Sequence, residues 1–138
     1  MVKAAVDALP NTQVTGVTIL TSLSEADVTE IGFKSAALDS AVALSRIAVN
    51  AGAGAIVCSP LEISAVRGEV GASPIIITPG VRPLEMVGTD DQQRTMTPED
   101  AIAAGANFVV IGRPITQSWA QGAQAMKERA QEIGADLI

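Results

Sequence analysis

Histidine is absent from the 138 residues, which removes His-based nucleophile triads, imidazole acid–base catalysis and His metal ligands. Cysteine occurs once, as Cys58, so no internal disulfide can form and a reducing, cytoplasmic compartment is expected. Its position in the strand-like run Ala55-Ile56-Val57-Cys58 marks it as a small buried hydrophobe. Aromatic residues make up only 2%, so the core must pack from Ala, Val and Ile. Positive charge is scarce as well. Nine Lys plus Arg against 15 Asp plus Glu give a net charge of -6, which argues against nucleic acid or an anionic membrane as a partner. No apolar run approaches the roughly 18 residues of a membrane span, and Met1-Val2-Lys3-Ala4-Ala5-Val6 lacks a signal-peptide apolar region with a cleavage site.

What is present is 48% hydrophobic residues, the composition of a soluble α/β core. The length suits one domain but falls short of the roughly 250 residues of a complete eight-stranded β/α barrel. Residues 2–9 carry Val2, Ala5, Val6 and Leu9 at helical spacing, and Pro10-Asn11-Thr12 breaks that helix. A strand is expected over 14–20, and a short helix opens at Ser24-Glu25-Ala26-Asp27 and ends near Gly32. A longer helix covers 36–51 and stops at Gly52. The strand Ala55 to Cys58 leads into Ser59-Pro60-Leu61-Glu62, a cap with proline at the first helical position and Glu in capping-box register. That helix is expected to end by Gly68. Ile75-Ile76-Ile77 reads as a strand buried on both faces. Residues 81–95 form a long loop of the functional kind, Thr97-Pro98-Glu99-Asp100 caps a further helix, and Phe108 to Ile111 is the last buried strand. A final helix runs from Ala123 to Ile133.

Strand and helix alternate through four units, which predicts a parallel sheet. Ala51-Gly52-Ala53-Gly54 and Ala104-Gly105-Ala106-Asn107 echo each other, each ending a helix and feeding a strand. The strands end in Thr21-Ser22, Ser59-Pro60, Thr78-Pro79-Gly80 and Gly112-Arg113, and in parallel α/β folds such ends line one ligand face. Gly112-Arg113 suits an anion, because glycine admits close backbone approach and the guanidinium offers a planar fork of donors. Arg82 places a second guanidinium on the same rim. Asp90-Asp91, with no other ligand signal, reads as solvated loop, so no metal and no cofactor are expected.

The segments Thr18-Ile19-Leu20-Thr21-Ser22-Leu23, Ile56-Val57-Cys58-Ser59-Pro60, Ile77-Thr78-Pro79-Gly80-Val81-Arg82-Pro83, Asp91-Gln92-Gln93-Arg94-Thr95-Met96-Thr97-Pro98 and Val110-Ile111-Gly112-Arg113-Pro114-Ile115-Thr116 together resemble the C-terminal half of orotidine 5'-phosphate decarboxylase. The resemblance implies an α/β fold, a parallel (βα)4 half of a TIM (β/α)8 barrel of the ribulose-phosphate-binding type, with residues 1–138 supplying strands five to eight. It implies that Arg82, Gln92, Gly112 and Arg113 hold the 5'-phosphate of orotidine or uridine 5'-phosphate, that Thr21 faces the pyrimidine end, and that the 81–95 loop closes over the substrate. The family's reacting residues form an Asp-x-Lys-x-x-Asp motif whose Lys protonates C6 as carbon dioxide leaves. That motif is missing, and the only lysines are Lys3, Lys34 and Lys127, all expected on helices or a helix junction. The chain is therefore expected to carry no catalytic residue. It is also expected to need a partner, either a polypeptide with the first half or a second copy, since half a barrel leaves sheet edges and an apolar face open. The alternative is a self-associating half-barrel that binds phosphate or nucleotide without catalysis.

Overall fold

A computed structural model describes residues 1–83, 95–135 and 137. Strands β1 (Thr15–Val17), β2 (Ala55–Val57), β3 (Ile75–Pro79) and β4 (Phe108–Val110) form one sheet, all parallel, in the order β1-β2-β3-β4. The helices are α1 (Val2–Ala8), α2 (Glu25–Ile31), α3 (Ala37–Asn50), α4 (Ile63–Val70), α5 (Pro98–Ala103), α6 (Arg113–Thr116) and α7 (Ala123–Ala135). Parallel neighbours cannot be joined by a tight turn, so each pair of strands is bridged by a helical crossover.

Local signals account for most element ends. Ser24 caps α2: its Oγ accepts the Asp27 N–H at 3.2 Å while the Asp27 carboxylate accepts the Ser24 N–H at 2.7 Å. The Ser24 hydroxyl and then its backbone N–H hold Asp27 below the usual carboxylate range. Thr97 Oγ1 caps α5 by accepting the Asp100 N–H at 3.3 Å. The two echoed sequences fold alike. Gly52 and Gly105 take φ of 96° and 111°, and Ala53 and Ala106 each donate back to a helical carbonyl, Ala48 O and Ala101 O, at 3.0 Å. Glycine is required there because the left-handed conformation that turns helix into strand strains any side chain.

Three element boundaries differ from the sequence expectation. β1 spans 15–17 rather than 14–20, and just past it Thr18 gives both its N–H and its Oγ1 to Val57 O, at 3.1 and 2.9 Å. α4 runs through Gly68 and stops at Gly71, whose φ is 74°. A mid-helix glycine only weakens a helix, whereas Arg67 Nη1 bonds Gly71 O at 2.9 Å and draws the chain out of it. Past β4, α6 and a 3₁₀ turn at Gln117–Gln121 precede α7, and these three pack against one another.

The two sheet faces are unlike. Ile56 and Ile76 are register partners facing the helices, and both are fully buried with Ile63 and Val66 of α4, Ala48 of α3 and Ala101 of α5. Gly16 shares that row because a Cβ there would lie 2.8 Å from Ala48 Cβ. On the other face Val17, Val57, Ile77 and Phe108 are in register across all four strands. Val17 and Phe108, on the outer strands, are 59% and 58% exposed. β4 was expected to be buried; its alternate side chains instead lie open, because nothing in the described chain covers that face.

At the amino ends of the strands, Arg67 of α4 ties three segments together. Its Nη1 donates to Gly71 O and Pro74 O at 2.9 and 2.8 Å, and its Nη2 to Gly105 O and Asn107 Oδ1 at 2.9 and 2.7 Å. Asn107 Oδ1 also accepts the Ile76 N–H at 2.8 Å, which couples the clamp to β3. A second, smaller core of Ile19, Val28, Ala37 and Ala41, with Leu23, Phe33 and Leu44 against it, lies under the excursion between β1 and α3.

Candidate phosphate and nucleotide site

Because the strands are parallel, their carboxyl ends lie on one side, and Thr21, Arg82, Gly112 and Arg113 follow them in sequence. Arg113 is the first residue of α6, directly after β4, with Gly112 before it. Pro114 suits this first turn, where its fixed φ is already helical and its missing N–H leaves no donor unpaired. Gly112 O accepts from the N–H groups of Ile115 and Thr116 at 2.9 and 3.0 Å. A side chain at Gly112 would meet nothing within 4 Å, so a ligand has room to reach its backbone. Arg113 is exposed.

Arg82 follows β3, next to β4 in the sheet. It does not stand out on a rim, as its sequence position suggested. It is 5% exposed, and its Nη1 donates to Val81 O at 2.9 Å. Its backbone N–H donates to Met96 O at 3.0 Å, and Val81 pairs with Met96 in a short parallel bridge. Burial follows from this bridge, which draws the residues on both sides of the 84–94 segment onto the core around Val81. Gln92 lies outside the described residues, as do Asp90 and Asp91.

Thr21 is half-buried in a turn closed by the Leu23 N–H to Leu20 O bond at 3.1 Å. It follows β1, at the far edge of the sheet from β4. Three strand spacings separate these edges, roughly 14 Å along the sheet. The arrangement therefore offers the exposed Arg113 at one side, with the buried Arg82 at the adjacent strand end, and a hydroxyl at the other. It suits an anionic ligand with a polar group at its distal end.

Between them, the end of β2 is polar yet buried. Glu62 is 1% exposed, and its Oε2 accepts the Ser59 N–H at 2.9 Å. The helix start at Ser59 is thus held by the returning carboxylate. The Ser-Pro-Leu-Glu pattern signalled the cap; nothing in it signalled that the Glu would be buried.

Cys58, 1% exposed, neighbours Thr78. Burial, and then the Glu62 charge, push its thiol from 9.0 up to about 12, with the Thr78 hydroxyl and the Arg67 guanidinium pulling the other way. A thiol raised in this way is protonated at neutral pH and is not a nucleophile. Its sign in stability follows. Below pH 9 the thiol is neutral folded and unfolded; between pH 9 and about 12 only the unfolded chain releases the proton, so stability falls as pH rises through that window. Native protein is expected to resist iodoacetamide at pH 8, and Cys58→Ala is expected to flatten the fall in stability above pH 9. Rapid alkylation of the native thiol would contradict the burial.

Among the described residues no group of three or more His, Cys, Asp or Glu is placed to hold a metal ion, and no helix is long and apolar enough to cross a membrane.

The family model for the orotidine 5'-phosphate decarboxylase / HUMPS family matches residues 1–128. A protein of Thermobifida fusca named orotidine 5'-phosphate decarboxylase is 49% identical over 137 residues, covering 98% of this chain and 58% of that protein. One of the same name from Anaeromyxobacter sp. (strain K) is 48% identical over 116 residues, 83% of this chain and 51% of that protein. A crystal structure of orotidine 5'-phosphate decarboxylase from Lactobacillus acidophilus superposes with a TM-score of 0.78 at 28% identity, covering 99% of this chain and 58% of that one. The chain thus spans a little over half the length of these relatives.

Proposed function

The chain belongs to the orotidine 5'-phosphate decarboxylase / HUMPS family, and from that premise we propose that it supplies the phosphate-binding half of a cytoplasmic barrel enzyme converting orotidine 5'-phosphate to uridine 5'-phosphate in pyrimidine biosynthesis. The observation that carries this reading is Arg113, exposed at the end of β4 with open space over Gly112, beside the end of β3 where Arg82 lies buried. A phosphate dianion takes charge-assisted bonds from such a guanidinium. In this reading Arg82, Gln92, Gly112 and Arg113 hold the 5'-phosphate and Thr21 meets the pyrimidine. Phosphate binding there contributes energy that is used at the reacting carbon elsewhere in the substrate.

The proton donor lies outside this chain. Lys3 pairs with Asp7 on α1 at 3.1 Å, Lys34 lies between α2 and α3, and Lys127 is on α7. None follows a strand end, where a group must stand to reach the substrate. The open face bearing Val17 and Phe108, together with the outer edges of β1 and β4, fits a partner that completes the barrel. That partner is a polypeptide carrying the first half of the family fold; a second copy is the competing arrangement, in which nucleotide binds without turnover.

The test is complementation. Mixed with the first-half segment of the Thermobifida fusca relative, the chain is expected to yield uridine 5'-phosphate and carbon dioxide from orotidine 5'-phosphate, and none alone. Turnover by the 138-residue chain by itself would overturn the placement of the proton donor. A monodisperse monomer in dilute buffer would overturn the need for a partner, and a dimer that binds nucleotide but gains no activity on mixing favours the second copy.

A further inference from the structure

We propose that Glu25 is a positioning residue for Thr21: it caps α3 from a distance and thereby holds the turn that presents Thr21 to the base end of the ligand. α3 runs for 14 residues, yet its N-cap is Ala36, which offers no side-chain acceptor. The first N–H groups of a helix lack partners within it and carry its positive end, so a carboxylate is the complementary group. Glu25, on the first turn of α2, supplies one. Its Oε2 and Oε1 lie 3.0 and 3.3 Å from the N–H of Ala37. Ala37 is 1% exposed, so water does not offer the same bond. Glu25 is itself exposed, and its contribution is therefore this bond rather than packing.

The bond closes a loop of structure around Thr21. The excursion from β1 is anchored at its start by Thr18 on Val57 O. It passes through the Leu20 to Leu23 turn that contains Thr21, and Ser24 then caps α2. Glu25 ties the beginning of α2 to the beginning of α3, over a core of Ile19, Val28, Ala37 and Ala41. The segment that contains Thr21 is thus bounded by the Thr18 anchor on β2 and by the Glu25 bond to α3. Without the carboxylate, the anchor on β2 stays and α2 loses its hydrogen-bonded tie to the start of α3. The role assigned to Thr21 rests on the nucleotide reading above, whereas the mechanical link does not.

The experiment uses the 138-residue chain with Glu25→Ala and Glu25→Gln, Gln retaining a neutral acceptor oxygen. In hydrogen exchange, Glu25→Ala is expected to speed the amides of Thr21 to Ser24 and of Ala37 by about tenfold and Glu25→Gln by less, while Ile56 and Ile76 stay unchanged. In calorimetry, Glu25→Ala is expected to weaken uridine 5'-phosphate binding by about threefold to tenfold and to leave ribose 5-phosphate, which reaches only the Arg82 and Arg113 end, unaffected. Unchanged exchange at Thr21 to Ser24 overturns the proposal, as does an equal loss, or no loss, for both ligands. If the parent chain binds neither ligand, alone or mixed with the first-half segment of the Thermobifida fusca relative, the nucleotide reading fails and the exchange result alone decides the link. Should Glu25→Ala not fold, Glu25→Gln carries the same comparison.

Discussion

Arg67→Ala is expected to lower the unfolding free energy by about 3 kcal/mol, and the midpoint of thermal unfolding by roughly 10 °C for a chain of this size. The guanidinium makes four bonds, to Gly71 O, Pro74 O, Gly105 O and Asn107 Oδ1, and these acceptors belong to the segments entering β3 and β4. Removing it strands several acceptors at once, including the Asn107 oxygen that also takes the Ile76 N–H. Partial rehydration of the carbonyls keeps the loss below the sum of four charged hydrogen bonds. Lysine has the charge but not the fork, so Arg67→Lys should recover less than half. A loss under about 1 kcal/mol, the level of an exposed ion pair, would mean that the clamp is redundant.

Arg113→Ala is expected to weaken uridine 5'-phosphate binding by about 2 kcal/mol, roughly 30-fold, with little change in stability. Arg113 is exposed at the start of α6, and its loss takes a charge-assisted contact from the phosphate. Arg46→Ala is the control: Arg46 lies on α3, paired with Glu69 at 3.3 Å and far in the fold from the β4 end. Equal affinities for the parent chain and Arg113→Ala by calorimetry would remove Gly112-Arg113 from the site. Ribose 5-phosphate should show the same loss as the nucleotide, since the contact is to the phosphate alone.

The strand-end positions of the candidate site could be read before the fold was known. Gly112-Arg113 after an apolar run, and Arg82 after Thr78-Pro79-Gly80, were legible because strand ends are punctuated locally by glycine and proline. The orientation of Arg82 was not, because it depends on the meeting of Val81 with Met96 across the intervening segment. The excursion after β1 was legible as a capped helix at Ser24, yet its reach to Ala37 was hidden, since Glu25 looks like any first-turn acid. Phe108 misled for a different reason. Its run is apolar enough for a buried strand, and apolarity reports what a residue suits rather than whether a partner covers it.

By itself the sequence determined the alternation of strand and helix, the caps at Ser24 and Thr97, the paired glycine exits at Gly52 and Gly105, and the family resemblance. The caps and glycine exits depend on residues within about four positions of one another, where backbone geometry and short hydrogen bonds decide the outcome, and the alternation and the resemblance are read from the order of such local segments. Only the tertiary structure decided that Arg82 and Glu62 are buried, that Val17 and Phe108 lie open, and that Glu25 and Arg67 act on other elements. Glu25 and Ala37 are 12 positions apart and Arg67 and Asn107 are 40 apart. Such contacts exist only after the sheet has set its register.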